Sequence, residues 1–280
     1  MERRVTTINC RGKLLDLGIP RVMAIVNLSP ESFYHSLDGA KDKELLNFVG
    51  KALEDGADII DVGGMSTRPG SVEISVEMEW ERIGKGLKAI RSEFLEAILS
   101  VDTYRGEIAS RSLDLGVDLI NDISGGAFDP NIIEVVAGQQ VPYVLMHNLA
   151  KSEVMQNYTD YEDMLEEMFR YFVEKIHLLE EKGIKDIVID PGFGFSKTID
   201  QNYLLLKNLS VFEQLERPLL VGLSRKSMLY KRLGTTPEET LCMTAALNFK
   251  ALESGANILR VHDAREARQC IQIFESYSRV

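Results

Sequence analysis

Cysteine is scarce in this chain: Cys10, Cys242 and Cys270 are the only three, and they lie far apart. An odd number at such spacing builds neither a disulfide framework nor a zinc cluster, and it suits a reducing, cytoplasmic setting. No uncharged apolar stretch reaches the roughly 20 residues of a membrane-spanning helix, so no membrane partner is expected. The opening residues, Met1-Glu2-Arg3-Arg4-Val5-Thr6-Thr7, contain no apolar core of a signal peptide, and none is expected. Proline- or serine-rich linkers and low-complexity tracts are also missing, which points to one domain over residues 1–280. Basic residues are in deficit, 32 Lys and Arg against 43 Asp and Glu, for a net charge of −11. A duplex-binding domain carries a basic face, so nucleic acid is excluded as an expected partner, and the acidity is read as serving solubility.

What is present is a repeat of short apolar, β-favouring runs. They fall at residues 22–27, 57–63, 97–102, 117–122, 141–147, 186–190, 218–224 and 256–262, with helix-favouring segments between them. Strands alternating with helices imply a parallel sheet, and nearly continuous apolar runs suit strands covered on both faces. Eight such units in 280 residues predict closure into a (β/α)₈ TIM barrel. Residues 5–19 precede the first strand and are predicted to form a short hairpin that caps the barrel floor. Residues 42–55 place Leu45, Leu46, Val49 and Leu53 at helical spacing before Gly56. Residues 160–182, stopped by Gly183, and 237–254, ending at Ser254-Gly255, predict two further helices.

The ends of the runs carry the chemistry. In order they read Asn27, Gly63-Gly64, Asp102-Thr103, Asn121-Asp122, His147-Asn148, Asp190, Ser224-Arg225-Lys226 and Arg260-Val261-His262-Asp263. One Asp or Asn after a strand is commonly a helix cap. So many together converge, in this fold, on the C-terminal face where barrel enzymes keep their active sites. Asp122 and Asp263 are read as caps or hydrogen-bond anchors. Asp102, Asn121 and Asp190 suit an amino-heterocycle, because a carboxylate accepts paired N–H bonds and a carboxamide both donates and accepts. The same trio is compatible with metal binding or acid–base work. Arg260 and His262 lie two apart and share one side of the last strand, with Lys226 beside them, a set suited to an anion; a structural ion pair is the plainer use of Arg260. The segment Gly192-Phe193-Gly194-Phe195-Ser196-Lys197-Thr198 is not a phosphate loop, since Ser196 and Pro191 stand where that motif needs glycine. It is read as a flexible turn presenting Phe195 as an aromatic surface, with a core phenylalanine as the plainer use. The loops Ser29-Pro30-Glu31-Ser32-Phe33 and Met65-Ser66-Thr67-Arg68-Pro69-Gly70 are read as mobile lids. Trp80 and the methionines are read as packing residues.

Taken together, these segments resemble the dihydropteroate synthases of the pterin-binding barrel family, from Asn9-Cys10-Arg11-Gly12-Lys13 to Arg260-Val261-His262-Asp263. The specific matches are Gly63-Gly64 with Ser66-Thr67-Arg68-Pro69-Gly70, Ser100-Val101-Asp102-Thr103, Ile120-Asn121-Asp122-Ile123, Asp190-Pro191-Gly192-Phe193-Gly194-Phe195 and Ser224-Arg225-Lys226-Ser227. The resemblance implies condensation of 6-hydroxymethyl-7,8-dihydropterin diphosphate with p-aminobenzoate, releasing pyrophosphate. It implies pterin binding by Asp102, Asn121, Asp190 and Lys226, and diphosphate binding by Asn27, Thr67, Arg260 and His262. Asn27 would ligate Mg²⁺. Phe33, Arg68, Pro69, Phe195, Lys226 and Ser227 would shape the p-aminobenzoate site. The catalytic set would be Asp102, Lys226, Arg260 and His262. A homodimer, a cytoplasmic location and membership of a family that sulfonamides target are implied in the same way.

The chain departs from the family pattern at Ser29, Glu31, His35 and Met65, where Thr, Asp and two acidic residues are common. These positions lie in the two loops rather than among the pterin residues. The implied mechanism is dissociative, with Mg²⁺, Arg260 and His262 stabilising the departing pyrophosphate and a pocket carboxylate stabilising a cationic pterin. A pterin-dependent methyltransferase and a non-catalytic pterin-binding paralogue share enough of the pattern to stand as alternatives.

Overall fold

In the computed structural model, which describes residues 7–28, 40–65 and 70–279, strand and helix alternate from residue 21 onward. An antiparallel hairpin precedes them, β1 (Thr7–Cys10) and β2 (Lys13–Asp16). Its turn places both Arg11 and Gly12 at positive φ, 54° and 91°, which is the backbone twist that a tight two-residue hairpin needs. Eight parallel strands follow: β3 (Arg21–Asn27), β4 (Ile59–Gly63), β5 (Ile98–Asp102), β6 (Leu119–Asp122), β7 (Tyr143–Met146), β8 (Ile187–Asp190), β9 (Leu220–Val221) and β10 (Ile258–Val261). They pair in the order β8-β7-β6-β5-β4-β3-β10-β9, and a parallel bridge from Ile189 to Leu219 joins the two ends into a barrel. The expected (β/α)₈ architecture and its floor hairpin are both present.

The strands sit where the apolar runs predict, except that β9 is much shorter than residues 218–224. Pro218 has no N–H to give a ladder, and Arg225 turns into the left-handed region at φ 56°. The helices are α1 (Ala40–Glu54), α2 (Val76–Glu93), α3 (Gly106–Asp114), α4 (Asn131–Gln139), α5 (Met164–Glu181), α6 (Ile199–Lys207), α7 (Ser227–Leu233), α8 (Leu241–Glu253) and α9 (Ala264–Ser278). α5 starts at Asp163, whose side chain accepts from the Leu165 and Glu166 amides, satisfying donors that a helix start leaves free. α8 starts later than residue 237, because Pro237 and a Thr236–Glu239 capping box first wind a 3₁₀ turn, Pro237–Thr240. Among the described residues no helix is long and apolar enough to cross a membrane.

Strand alternation then sorts the interior. Val22, Ala24 and Val26 of β3 and Ile60 and Val62 of β4 face outward and pack with helix residues such as Leu45, Ile83 and Leu87. The other parity faces the axis. At the floor it supplies Met23, Ile59, Leu119, Val144, Val188, Leu220 and Ile258, closed from below by Ile8, Cys10, Leu15 and Leu17 of the hairpin segment. One step up the same strands, two residues on, the identical parity places Asp61, Ser100, Asn121, Asp190 and Arg260 inside the upper barrel. The hairpin is pinned at its edges by the Asn9 amide on Asp186 Oδ2 (3.0 Å) and Asn257 Nδ2 on the Leu17 carbonyl (2.8 Å).

The floor hairpin therefore bears on stability. Ile8 is buried against that apolar layer, and Ile8→Ala is expected to lower unfolding free energy by about 2–5 kcal/mol, the usual cost of such a cavity. Urea denaturation of the variant measures it; a change below about 0.5 kcal/mol, typical of a surface site, would show that the hairpin does not close the core.

Candidate active site

The upper barrel is a network of charges. Asp61, fully buried, accepts from Ser100 Oγ at 2.5 Å, from Asn121 Nδ2 at 3.0 Å and from Arg260 Nε at 2.7 Å. Arg260 Nη2 donates in turn to Asp102 Oδ2 at 2.7 Å. One guanidinium is thus held by carboxylates from two neighbouring strands, β4 and β5, which pair directly at Asp61–Ser100 and Gly63–Asp102. Burial pushes the Asp102 carboxyl up to about 7 against the pull of Arg260, with Asp61 adding repulsion. Arg260 is held above its ordinary range despite burial, because Asp61 and Asp102 favour its charge. Asp190 is also buried and raised by burial, and its Oδ1 accepts from the Gly192 amide at 2.7 Å. Lys226 Nζ lies 4.4 Å from the centre of the Phe195 ring. Burial and then Arg260 lower Lys226 to about 8, opposed by Asp190 and Asp102.

His262 stands at the end of β10. Its amide donates to Ser224 Oγ at 3.2 Å, and the same hydroxyl lies 3.0 Å from Nδ1. A hydroxyl that accepts the amide is free to donate to Nδ1, which leaves Nε2 as the ring donor. Burial, then Arg225 and Arg260, lower His262 to about 3, so the imidazole is neutral. Asp263 does not cap α9 with its side chain; it holds Arg225, at 2.7 Å and 3.3 Å. Asp122 faces outward and accepts from the Ser124 and Gly126 amides and Tyr143 Oη. Both behave as the anchors that their positions suggested.

Asn27 closes the row of strand ends, in register with Gly63, which pairs with Asp102, which pairs with Asn121. Asp102, Asn121, Asp190, Lys226, Arg260 and His262 are brought together with it at the C-terminal end of the barrel. Ser227 begins α7 and is half-buried. Phe33, Thr67, Arg68 and Pro69, with Ser29, Glu31 and His35, lie outside the described residues. Met65 is described, and it packs against the cluster that contains Phe195.

The turn after β8 differs from its sequence reading. It is not a flexible segment presenting an open aromatic face: Phe195 is 6% exposed and buried with Tyr104, Ile123, Met146, Ala150 and Met155. The cause is Lys197. It is 2% exposed and folds back into its own turn, donating to the Phe195 carbonyl at 3.0 Å and the Gly192 carbonyl at 3.2 Å, with His147 Nδ1 at 3.2 Å. Asn202 braces the other side, accepting from the Gly194 amide at 2.6 Å. His147 is kept neutral by burial and by Lys197, and it belongs to this brace rather than to the charge network. Asp61 is the residue that sequence reasoning passed over. Its signal was a carboxylate inside the otherwise apolar Ile59-Ile60-Asp61-Val62 run, where only a partner could support it.

The chain matches the family model described as "Pterin binding enzyme" over residues 23–262. It is 40% identical to the dihydropteroate synthase of Escherichia coli K12 over 271 residues, which is 95% of this chain and 94% of that protein. The structure of the Yersinia pestis dihydropteroate synthase in complex with a sulfonamide drug superposes with a TM-score of 0.92 at 35% identity, covering 98% of this chain and all of that one (100%). The Xanthomonas albilineans dihydropteroate synthase with 4-aminobenzoic acid gives 0.91 at 33% identity, covering 99% and 100%. The chain belongs to the pterin-binding enzyme family, among the dihydropteroate synthases.

In this family member the neutral His262 has a pH signature. The unfolded imidazole binds a proton near its ordinary value of 6.5, while the folded one waits until about 3. The unfolded state therefore protonates first as pH falls, so this part of the stability is complete above about pH 7 and is lost as the pH drops from about 6.5 towards 3. His262 ring resonances followed by NMR are expected to stay in the neutral form from about pH 8 down to about pH 5. A titration midpoint close to the ordinary value would contradict this environment.

Proposed function

We propose that this chain condenses 6-hydroxymethyl-7,8-dihydropterin diphosphate with p-aminobenzoate, giving 7,8-dihydropteroate and pyrophosphate in folate biosynthesis. It is a transferase, and its substrates are small molecules. The observation that carries the reading is the buried set of Asp102, Asn121 and Asp190, with Arg260 bonded directly to Asp102 and linked to Asn121 through Asp61, at the mouth of a barrel that matches dihydropteroate synthases over almost its whole length.

In this reading Asp102, Asn121 and Asp190 accept and donate along the edges of the pterin ring. Carboxylates raised by burial gain most from new N–H donors, because those donors favour the ionised form. Lys226 lies over Phe195 and contributes a cation beside the ring. Arg260 enters the reaction already aimed, since Asp61 fixes its Nε, and it needs little reorganisation to meet a diphosphate oxygen. Thr67 and His262 complete the diphosphate group, with His262 offering a neutral N–H donor. As the bond to the diphosphate lengthens, Arg260 and His262 stabilise the leaving anion while the buried carboxylates stabilise the positive pterin methylene. The amine of p-aminobenzoate then attacks that carbon, placed by Phe33, Arg68, Pro69, Phe195, Lys226 and Ser227. The same site is proposed to take sulfonamides, which resemble the arylamine.

Mg²⁺ fits this donor set. Among the described residues no group of three or more His, Cys, Asp and Glu side chains could hold a metal alone, and Mg²⁺ typically takes few protein oxygens and completes its shell with substrate phosphate and water. Asn27 supplies a hard carboxamide oxygen at the right rim, and the ion would neutralise charge on the diphosphate. We further propose a single domain over residues 1–280, a cytoplasmic location and a homodimer, whose state light scattering measures directly.

Pyrophosphate release is expected only when p-aminobenzoate is added to the pterin diphosphate, and chelation of Mg²⁺ is expected to abolish it. Release that ignores p-aminobenzoate, or that persists in excess chelator, contradicts the reaction or the metal respectively. Asp190→Asn is expected to weaken a non-phosphorylated pterin by about 2–4 kcal/mol, as for a lost charge-assisted bond in a buried site. Calorimetry decides; unchanged affinity removes Asp190 from the pocket.

A further inference from the structure

Lys197 is a buried cation that the proposed reaction does not use. Its Nζ is taken up by the Phe195 carbonyl, the Gly192 carbonyl and His147 Nδ1. Burying an ammonium is costly, so its place asks for a reason beyond filling space. Burial lowers Lys197 to about 7, with Asp190 opposing and Lys226 adding. Either protonation state keeps the three contacts. The ammonium donates to all three partners, whereas the neutral amine donates to the two carbonyls and accepts from a His147 Nδ1–H.

The points that Lys197 ties lead to two residues of the pterin group. The Gly192 peptide faces both ways. Its N–H donates to Asp190 Oδ1 at 2.7 Å, and its carbonyl accepts from Lys197 at 3.2 Å and from the Phe195 amide at 3.1 Å. Gly192 stands at φ 70°, and a Cβ there would lie 2.2 Å from the His147 carbonyl oxygen, so the turn is pressed against the end of β7. Gly194, at φ 82°, packs against the stem of Lys226, where a Cβ would come within 3.2 Å of Cδ. The next residue, Phe195, presents its ring to Lys226 Nζ at 4.4 Å. Ser196 completes the reversal at φ 47°, a left-handed conformation uncommon without glycine. Such a conformation persists only where the surroundings over-determine it.

We propose that Lys197 is a positioning residue for the pterin pocket: from within the turn after β8 it fixes the Gly192 peptide that holds Asp190 and the Gly194-Phe195 segment that supports Lys226. The inference rests on the function proposed above. Asn202 grips the same turn from another side, accepting from the Gly194 amide at 2.6 Å and donating to the Thr198 carbonyl at 2.6 Å. The two residues divide the work. Lys197 holds carbonyls that point into the turn, and Asn202 holds the amide between them.

The test is calorimetry with a non-phosphorylated pterin beside steady-state kinetics. Lys197→Met keeps most of the stem and removes the ammonium. The pterin Kd is expected to rise about two- to tenfold, the range of one net hydrogen bond, and the KM for the pterin diphosphate is expected to rise with it. kcat is expected to change less, because Arg260 and His262 are carried by the end of β10 and held by Asp61 and Ser224. Ile8→Ala, which weakens the fold from the floor, is expected to leave Kd and KM near wild type. Asn202→Ala frees the same turn and should also raise Kd; it decides the question if Lys197→Met does not fold. An unchanged Kd in the deciding variant overturns the proposal. So does an equal loss of affinity in Ile8→Ala, which marks general loosening, or a fall in kcat with KM unchanged. Turnover by the wild-type enzyme tests the underlying functional reading separately.

Discussion

A guanidinium shared by two buried carboxylates sets the plan of the upper barrel. Arg260 reaches Asp61 through Nε and Asp102 through Nη2, each at 2.7 Å. Such a group is costly to place in a protein interior, and an apolar trio of similar volume would often be as stable or more so. The arrangement is therefore better understood through what it prepares than through what it stabilises. It aims the guanidinium and orients Asn121 through Asp61. It also keeps Asp102 and Asp190 in a buried setting that raises both carboxyls above their ordinary range. A site of that kind is short of N–H donors, which is what an amino-pterin brings.

The contrast between floor and mouth follows from the same strand parity. Met23, Ile59, Leu119, Val188 and Ile258 make an apolar layer sealed by the hairpin. Two residues later the same faces carry Asp61, Asn121, Asp190 and Arg260. A rigid apolar base under a charged layer lets the network be held without water beneath it, and in a low-dielectric setting each charge acts strongly on its neighbours. Lys197 and Asn202 do the corresponding work outside the ring, where they fix the turn that sets Phe195 under Lys226.

Much of this is legible from the chain. Eight apolar runs located the strands, and the polar residues at their ends located Asp102, Asn121, Asp190, Lys226, Arg260 and His262, because strand period and barrel closure leave them little freedom. β9 shrank because proline and a left-handed Arg225 interrupt a run that hydrophobicity alone extends. Asp61 was passed over because attention to strand ends ignores a charge in mid-strand, although burial without a partner would have been prohibitive. The turn after β8 was misread as flexible for a different reason, which lies in Lys197. Its partners are carbonyls of its own turn and a histidine fifty residues away, and backbone acceptors leave no mark in side-chain sequence.

The most direct measurement is the proton exchanged when a non-phosphorylated pterin binds. Asp102 is poised at about 7 by burial, and N–H donors from the ring favour its ionised form, so binding at pH 7 should expel a fraction of a proton. Calorimetry in two buffers of different ionisation enthalpy reads that fraction. Release in wild type that disappears in Asp102→Asn is the expected result. A binding enthalpy independent of buffer, or a release unchanged in the variant, would contradict a pterin seated on the Asp102–Arg260–Asp61 network.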